Sequence, residues 1–287
     1  MSSVLGTASL LASNTLLSLY PILIKSFENM GTFTQVFYRV ATIILCAAPF
    51  VTNIFDLILT PKFIGIGLIN LVHIWTSYVG FQNLDTGISL STFYSYPIFT
   101  VLLGAFFLGS KVSMSTIFYL GLCIAGVIAV NMRPTDSNMR PTDETPTDTP
   151  KNTTLGLISI AVAALTEAII IIFYKGTTLP NSFDSLFSLY FYSLVPMLAV
   201  APWFLDRVPL MDVAKVTGFN FFGGFIGYFL RLAAIPLLSV ATFSGLSFTT
   251  IISGYIFGWL FFRENVGLNQ LIGTLAIITG IFGAKSG

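Results

Sequence analysis

The residues that could do chemistry are the few charged ones set inside long apolar runs. Glu167 lies in SIAVAALTEAIIIIFYK, eight positions before Lys175. Arg231 lies in GGFIGYFLRLAAIPLL. A carboxylate placed in hydrocarbon costs roughly 3 kcal/mol on insertion scales, so it must be paired, protonated or wetted. Desolvation favours its protonated form, and a carboxyl that exchanges its proton near the working pH can couple proton movement to another process. A fixed ion pair with Arg231 or Arg39 is the purely structural alternative for Glu167. Arg231 has the planar fork that grips a carboxylate or a phosphate, or it could snorkel to a helix end.

Other polar residues recur on single helical faces. Asn70, His73 and Ser77 follow the spacing i, i+3, i+7, and Asn220, Gly224, Gly227 and Arg231 form a second such face. Both are expected to line one central cavity. His73, the only histidine, could share a proton near neutral pH, or simply be a satisfied packing residue. Asn14, Ser18, Pro21 and Lys25 share a third face, where Pro21 should kink the helix and Asn14 could touch a ligand. Arg39 and Lys25 could face the cavity or sit at the membrane edge. Tyr94, Tyr96 and Phe248 could stack on a planar ligand. Small-residue stripes (Gly87, Ser91, Ser95 and Ala241, Gly245, Thr249, Ser253) suit close helix packing. The expected ligand-contacting set is therefore Asn14, Arg39, Asn70, His73, Ser77, Tyr94, Glu167, Arg231, Phe248 and Thr249, with Glu167 also the expected proton carrier. No GxSxG, HExxH or P-loop occurs, and one histidine cannot supply a His-based metal set. Neither enzyme activity nor a cofactor is expected.

The elements that must hold these residues follow from composition. The 287 residues are 55% hydrophobic, 15% aromatic and only 9% charged, with mean hydropathy +0.87. Soluble domains average about 25% charged residues, so an ordinary soluble protein is excluded. A net charge of +1 provides no field for nucleic acid. Cys46 and Cys123 both sit in apolar runs, which argues against a disulfide scaffold. A membrane-crossing helix needs about 20 apolar residues. Ten segments qualify, at about 4–24, 33–52, 63–82, 87–109, 113–131, 154–174, 184–204, 216–236, 239–262 and 267–284. Residues 132–153, rich in Pro, Thr and Asp and holding a tandem NMRPTD, read as a polar linker between halves 1–131 and 154–287.

The halves repeat. PIFTVLLGAFFLGSKVSMSTIFYLGLCIAG (97–126) aligns with IISGYIFGWLFFRENVGLNQLIGTLAIITG (251–280), placing Gly104 on Gly258 and Gly126 on Gly280. SLLASNTLLSLYPILIK (9–25) aligns with 159–175, placing Lys25 on Lys175. Five segments per half make the second half enter the membrane in the opposite sense, an inverted-repeat architecture. The sequence resembles the EamA-type transporters of the drug/metabolite transporter superfamily. ASNTLLSLYPILIKSF…FTQVFYRVATIILCA looks like their first helix pair, with Lys25 closing helix one and Arg39 opening helix two. QNLDTGISLSTFYSYPIFTVLLGAFFLGSKV resembles their third-to-fourth helix junction with its proline, here Pro97. LFFRENVGLNQLIGTLAIITGIFGA resembles the close of the second half, with Glu264 as the helix-end acid. The usual Trp-Gly pair of helix one is absent, and Ser110 stands where the first half would carry its acid. The Glu167–Lys175 spacing resembles the first helix of the small multidrug transporters, whose glutamate exchanges protons against cations.

The expectation is an all-α polytopic membrane protein with ten helices in two inverted five-helix repeats. It would carry a small metabolite, an amino acid or related zwitterion or organic anion, by alternating access with proton coupling. Efflux of a hydrophobic cation on Glu167 and a non-transporting scaffold are the alternatives. The expected partners are a small-molecule substrate and membrane lipid, in a monomer or homodimer. Gly121, Gly126, Gly273 and Gly280 read as packing positions, including between protomers.

Overall fold

The computed structural model describes residues 2–27, 29–108, 113–132, 152–177, 179, 181–238, 242–243, 246–247 and 249–286. Every regular element among them is helical. The first half comprises α1 (Ser2–Leu17), α2 (Tyr20–Ser26), α3 (Thr32–Ala47), α4 (Ile54–Leu59), α5 (Pro61–Asn83), α6 (Thr86–Phe93), α7 (Tyr96–Leu108) and α8 (Met114–Asn131). The second comprises α9 (Thr153–Lys175), α10 (Ser182–Phe204), α11 (Leu210–Phe219), a π-helical turn (Asn220–Ile226), α12 (Gly227–Leu237), α13 (Thr249–Phe262) and α14 (Leu268–Ser286). Residues 133–151 of the expected linker lie outside the described residues, as do Ser110 and Phe248.

Among the described residues, seven of the ten expected segments are long and apolar enough to cross a membrane: Val4–Ser26, Thr32–Phe50, Pro61–Asn83, Thr86–Phe107, Thr153–Lys175, Ser182–Phe204 and Leu210–Leu237. Shorter apolar helices, Ile117–Asn131, Thr249–Phe262 and Leu268–Gly280, stand at the other three positions. With at least seven such helices, the protein is an integral, multi-pass membrane protein.

Local chemistry sets the breaks and the starts. Pro21 and Pro97 are each the second residue of a helix that follows a turn, at Ser18–Leu19 and Tyr94–Ser95. Proline lacks an N–H and its ring clashes with the preceding turn, so each long segment divides there. The expected kink at Pro21 is present. Asn152 and Asn181 open α9 and α10, their side chains accepting from Leu155 N–H at 3.0 Å and Asp184 N–H at 2.9 Å.

Packing respects the repeat. α1 packs on α12 as its counterpart α9 packs on α5, and α3 packs on the π-helical turn as α10 packs on α5. The self-related pairs run antiparallel. Asp206, past the end of α10, accepts from Gly31 N–H (2.6 Å) and the Thr34 hydroxyl (2.8 Å) at the start of α3. Asp184, in the first turn of α10, accepts from the Thr52 N–H (2.9 Å) and hydroxyl (2.8 Å) beyond the end of α3. Likewise a side chain at Gly126 would meet the Gly273 carbonyl, and one at Gly280 would meet Cys123 and Tyr119. Gly126, Gly273 and Gly280 thus let α8 and α14 touch backbone to backbone inside one chain. They are packing positions as expected, here within one chain; Gly121 has open space beside it.

Candidate functional site

Both halves contribute charge to one buried cluster. Arg231 of α12 is 3% exposed and Glu167 of α9 is 2% exposed. The Arg231 Nη2 donates to Glu167 Oε1 in a direct ion pair. The other carboxylate oxygen, Oε2, lies 3.5 Å from His73 Nε2 on α5. His73 Nδ1 faces the Ala163 carbonyl at 3.1 Å and the Thr166 hydroxyl oxygen at 3.3 Å. Thr166 spends its own proton on Val162 and Ala163 carbonyls. Nδ1 therefore faces acceptors only and carries hydrogen. Nε2 has a partner in either state: it accepts from Tyr228 OH at 3.5 Å when bare, and faces Glu167 when protonated.

Arg39 of α3 is 2% exposed and sits among tyrosines. Its Cζ lies 4.1 Å from the ring centroid of Tyr20, 5.2 Å from Tyr228 and 5.6 Å from Tyr78. These are cation–π distances. Tyr20 is held by its hydroxyl, which donates to Asn220 Oδ1 at 2.9 Å. The π-helical turn brings Asn220 there, and Gly224 leaves room, because a Cβ at that position would run into the Tyr20 hydroxyl. Among the described residues no carboxylate comes within 4 Å of Arg39, and its Nε has no hydrogen-bond partner. Arg231 Nη1 also lacks one.

Arg39, His73, Glu167 and Arg231 line one cavity with Ser77, Tyr20, Tyr94, Tyr228, Leu17, Phe81, Leu90 and Phe93. Its volume is about 30 Å³, room for about two waters. The helix breaks at Pro21 and Pro97 both open on it, through Leu17, Tyr20, Phe93 and Tyr94. Discontinuous helices facing a central site are a recurring device of transporters.

Of the expected ligand-contacting residues, Arg39, His73, Ser77, Tyr94, Glu167 and Arg231 meet at this cavity. Asn70 instead donates to Leu189 O (3.2 Å) and Ser193 Oγ (3.0 Å) on α10. Asn14 donates to Leu246 O (2.9 Å) and to Thr249 Oγ1 (3.1 Å), so these two expected contacts tie helices to each other. Asn14, Asn70 and Thr249 are not among the lining residues. Tyr20 and Tyr228 were not expected. Tyr228 precedes Arg231 by three positions, a same-face spacing that marks it.

Outside the cavity lining, Lys25 donates to Glu264 Oε1 (2.7 Å) and Thr86 Oγ1 (3.0 Å). Its counterpart Lys175 donates to the carbonyls of Ile235 (2.7 Å) and Leu238 (2.9 Å).

The comparisons with known proteins agree with this architecture. One solved crystal structure, 12% identical, shares the fold with a TM-score of 0.63 over 97% of this chain and 96% of its own. No curated protein matches the sequence. The model of the EamA-like transporter family matches residues 4–132 and again residues 154–285, one match in each half, and the chain belongs to that family.

Proposed function

We propose that the protein is a secondary transporter that moves a small metabolite bearing an acidic group by alternating access. In this reading ten segments cross the membrane, the halves enter it in opposite senses, and they rock about the central cluster. One observation carries the proposal: Arg39 and His73 from the first half and Glu167 and Arg231 from the second converge on a single small cavity. A structural core has little use for such a group, because burying charge is costly and apolar replacements often serve stability as well. The cavity is far smaller than a metabolite, so the arrangement corresponds to a contracted state that must open to load.

Proton coupling fits the same cluster. His73 can gain a proton and pass from Tyr228 to Glu167 as partner, so its protonation changes the pull on the Glu167–Arg231 pair. Multidrug-type efflux of a hydrophobic cation is the second reading, favoured by the aromatic lining from Tyr20, Phe81, Phe93, Tyr94 and Tyr228. The engagement of Glu167 by Arg231 weighs against it.

The test is solute flux into liposomes holding the purified protein, with and without an imposed pH gradient. The panel contains carboxylates, amino acids, phosphate esters and lipophilic cations. Uptake of an acidic solute, lost in Arg231→Ala, supports the metabolite carrier. Uptake of lipophilic cations alone moves the assignment to multidrug efflux. No flux of any class overturns transport in favour of a scaffold.

A further inference from the structure

We infer that Arg39 is the receptor for an organic anion, a carboxylate or a phosphate ester, and that the site selects net negative solutes over zwitterions and cations. The inference rests on the carrier reading above and narrows it.

The argument is a charge count at the cavity. Arginine does not deprotonate in proteins, so Arg39 and Arg231 are both positive. They share one carboxylate. Glu167 spends one oxygen on Arg231 and presents the other to His73 at 3.5 Å. Its negative charge is already neutralised by the Arg231 guanidinium, so it offers a substrate amine, which a zwitterion or a cation would bring, little net attraction. Arg39 is left over: it faces tyrosine rings instead of an acid, and its Nε makes no hydrogen bond. Cation–π contacts recover only part of what burying a full charge costs. Arg231 Nη1 is a second unpartnered guanidinium donor on the same cavity. Two idle donor nitrogens and one uncompensated positive charge on one cavity are the chemistry of an oxyanion site. The rings of Tyr20, Tyr228 and Phe93 leave an apolar wall for the rest of the solute.

A packing role for Arg39 makes the opposite forecast for stability. As a cation–π pillar its loss should lower the melting temperature. As a buried, uncompensated receptor its loss should leave the melting temperature unchanged or raise it, because function rather than folding retains it.

The experiment uses the full-length detergent-purified protein and proteoliposomes. The probes are succinate, 3-phosphoglycerate, glutamine and tetraphenylphosphonium, with Arg39→Gln and Arg39→Lys as variants. The expected result is stabilisation and flux with succinate or 3-phosphoglycerate, the two arms separating carboxylate from phosphate. Arg39→Gln should weaken that anion at least about thirtyfold without lowering the ligand-free melting temperature. Arg39→Lys keeps the charge but not the fork and should fall between. Flux of glutamine or tetraphenylphosphonium with no response to either anion overturns the inference and leaves the carrier reading standing. Anion binding unchanged in Arg39→Gln, with a lowered melting temperature, also overturns it and makes Arg39 a pillar. Absence of flux for every probe removes the carrier reading, and this inference with it.

Discussion

The Glu264 carboxylate takes the Lys25 ammonium at 2.7 Å and also accepts from the Thr86 backbone N–H at 2.9 and 2.8 Å through its two oxygens. One side chain thus joins the end of α2, the start of α6 and the turn after α13. It caps the positive end of α6 and pairs a cation brought by the other half of the chain. Arg263, just before it, holds φ at 53°, the left-handed conformation that ends a helix and turns the chain back. That turn aims Glu264 at Thr86. At the counterpart position Lys175 donates, among the described residues, to carbonyls of its own half. The two counterpart lysines are therefore held by different chemistry.

Breaking the Lys25–Glu264 contact should loosen the junction it makes between the two halves. A hydrogen bond to a charged group contributes about 1.5–3 kcal/mol. Glu264→Gln is expected to raise the rate at which a membrane-impermeant maleimide reaches a cysteine placed at Phe81, a lining residue. Lys25→Met should do the same, and the swapped pair Lys25→Glu with Glu264→Lys should restore part of the protection. Equal labelling rates in all four proteins would remove the latch.

The Glu167–Arg231 pair makes a coupled forecast for stability and for proton use. Glu167→Gln leaves Arg231 buried without a counter-charge, which should cost about 3–5 kcal/mol. The double variant Glu167→Gln, Arg231→Gln should recover most of it, as a thermodynamic cycle in detergent would read. In liposomes Glu167→Gln should also abolish any dependence of flux on the pH gradient. Persistent dependence would move the proton elsewhere, with His73→Gln the next variant to assay.

The glycine contact between α8 and α14 separates packing from membrane exposure. Gly126→Leu forces a side chain into the Gly273 carbonyl and should cost about 1–3 kcal/mol or more. Gly121→Leu, on the same helix with nothing within 4 Å of its missing Cβ, should leave the melting temperature unchanged. Equal losses in the two variants would contradict the packing described.

Much of this was legible in the sequence because membrane helices announce themselves by apolar length, and the repeat by its matched glycines. Glu167 and Arg231 stood out for the same reason: charge inside such runs has few places to go. Asn70 is engaged by α10 because α5 packs against both α9 and α10. Its polar face divides, with His73 and Ser77 turned to the cavity and Asn70 to α10. The sequence leaves Arg39 open between cavity and membrane edge, because it stands near a segment start. It lies seven residues into α3, about 10 Å along the helix, deep enough to reach the centre. Its tyrosine surround left no local pattern, since Tyr20, Tyr78 and Tyr228 come from three different helices of a chain with 11 tyrosines.

The division of the first long segment at Pro21 has a counterpart that does not divide: α9 runs unbroken from Thr153 to Lys175. Duplication made these two segments equals, and divergence has since given them separate trades. One is a jointed arm, bending beside the cavity under Arg39. The other is one continuous spar that carries Glu167. Two like parts now differ in build, one jointed and one continuous, and if the halves rock as proposed, rate-altering substitutions should gather on the jointed side.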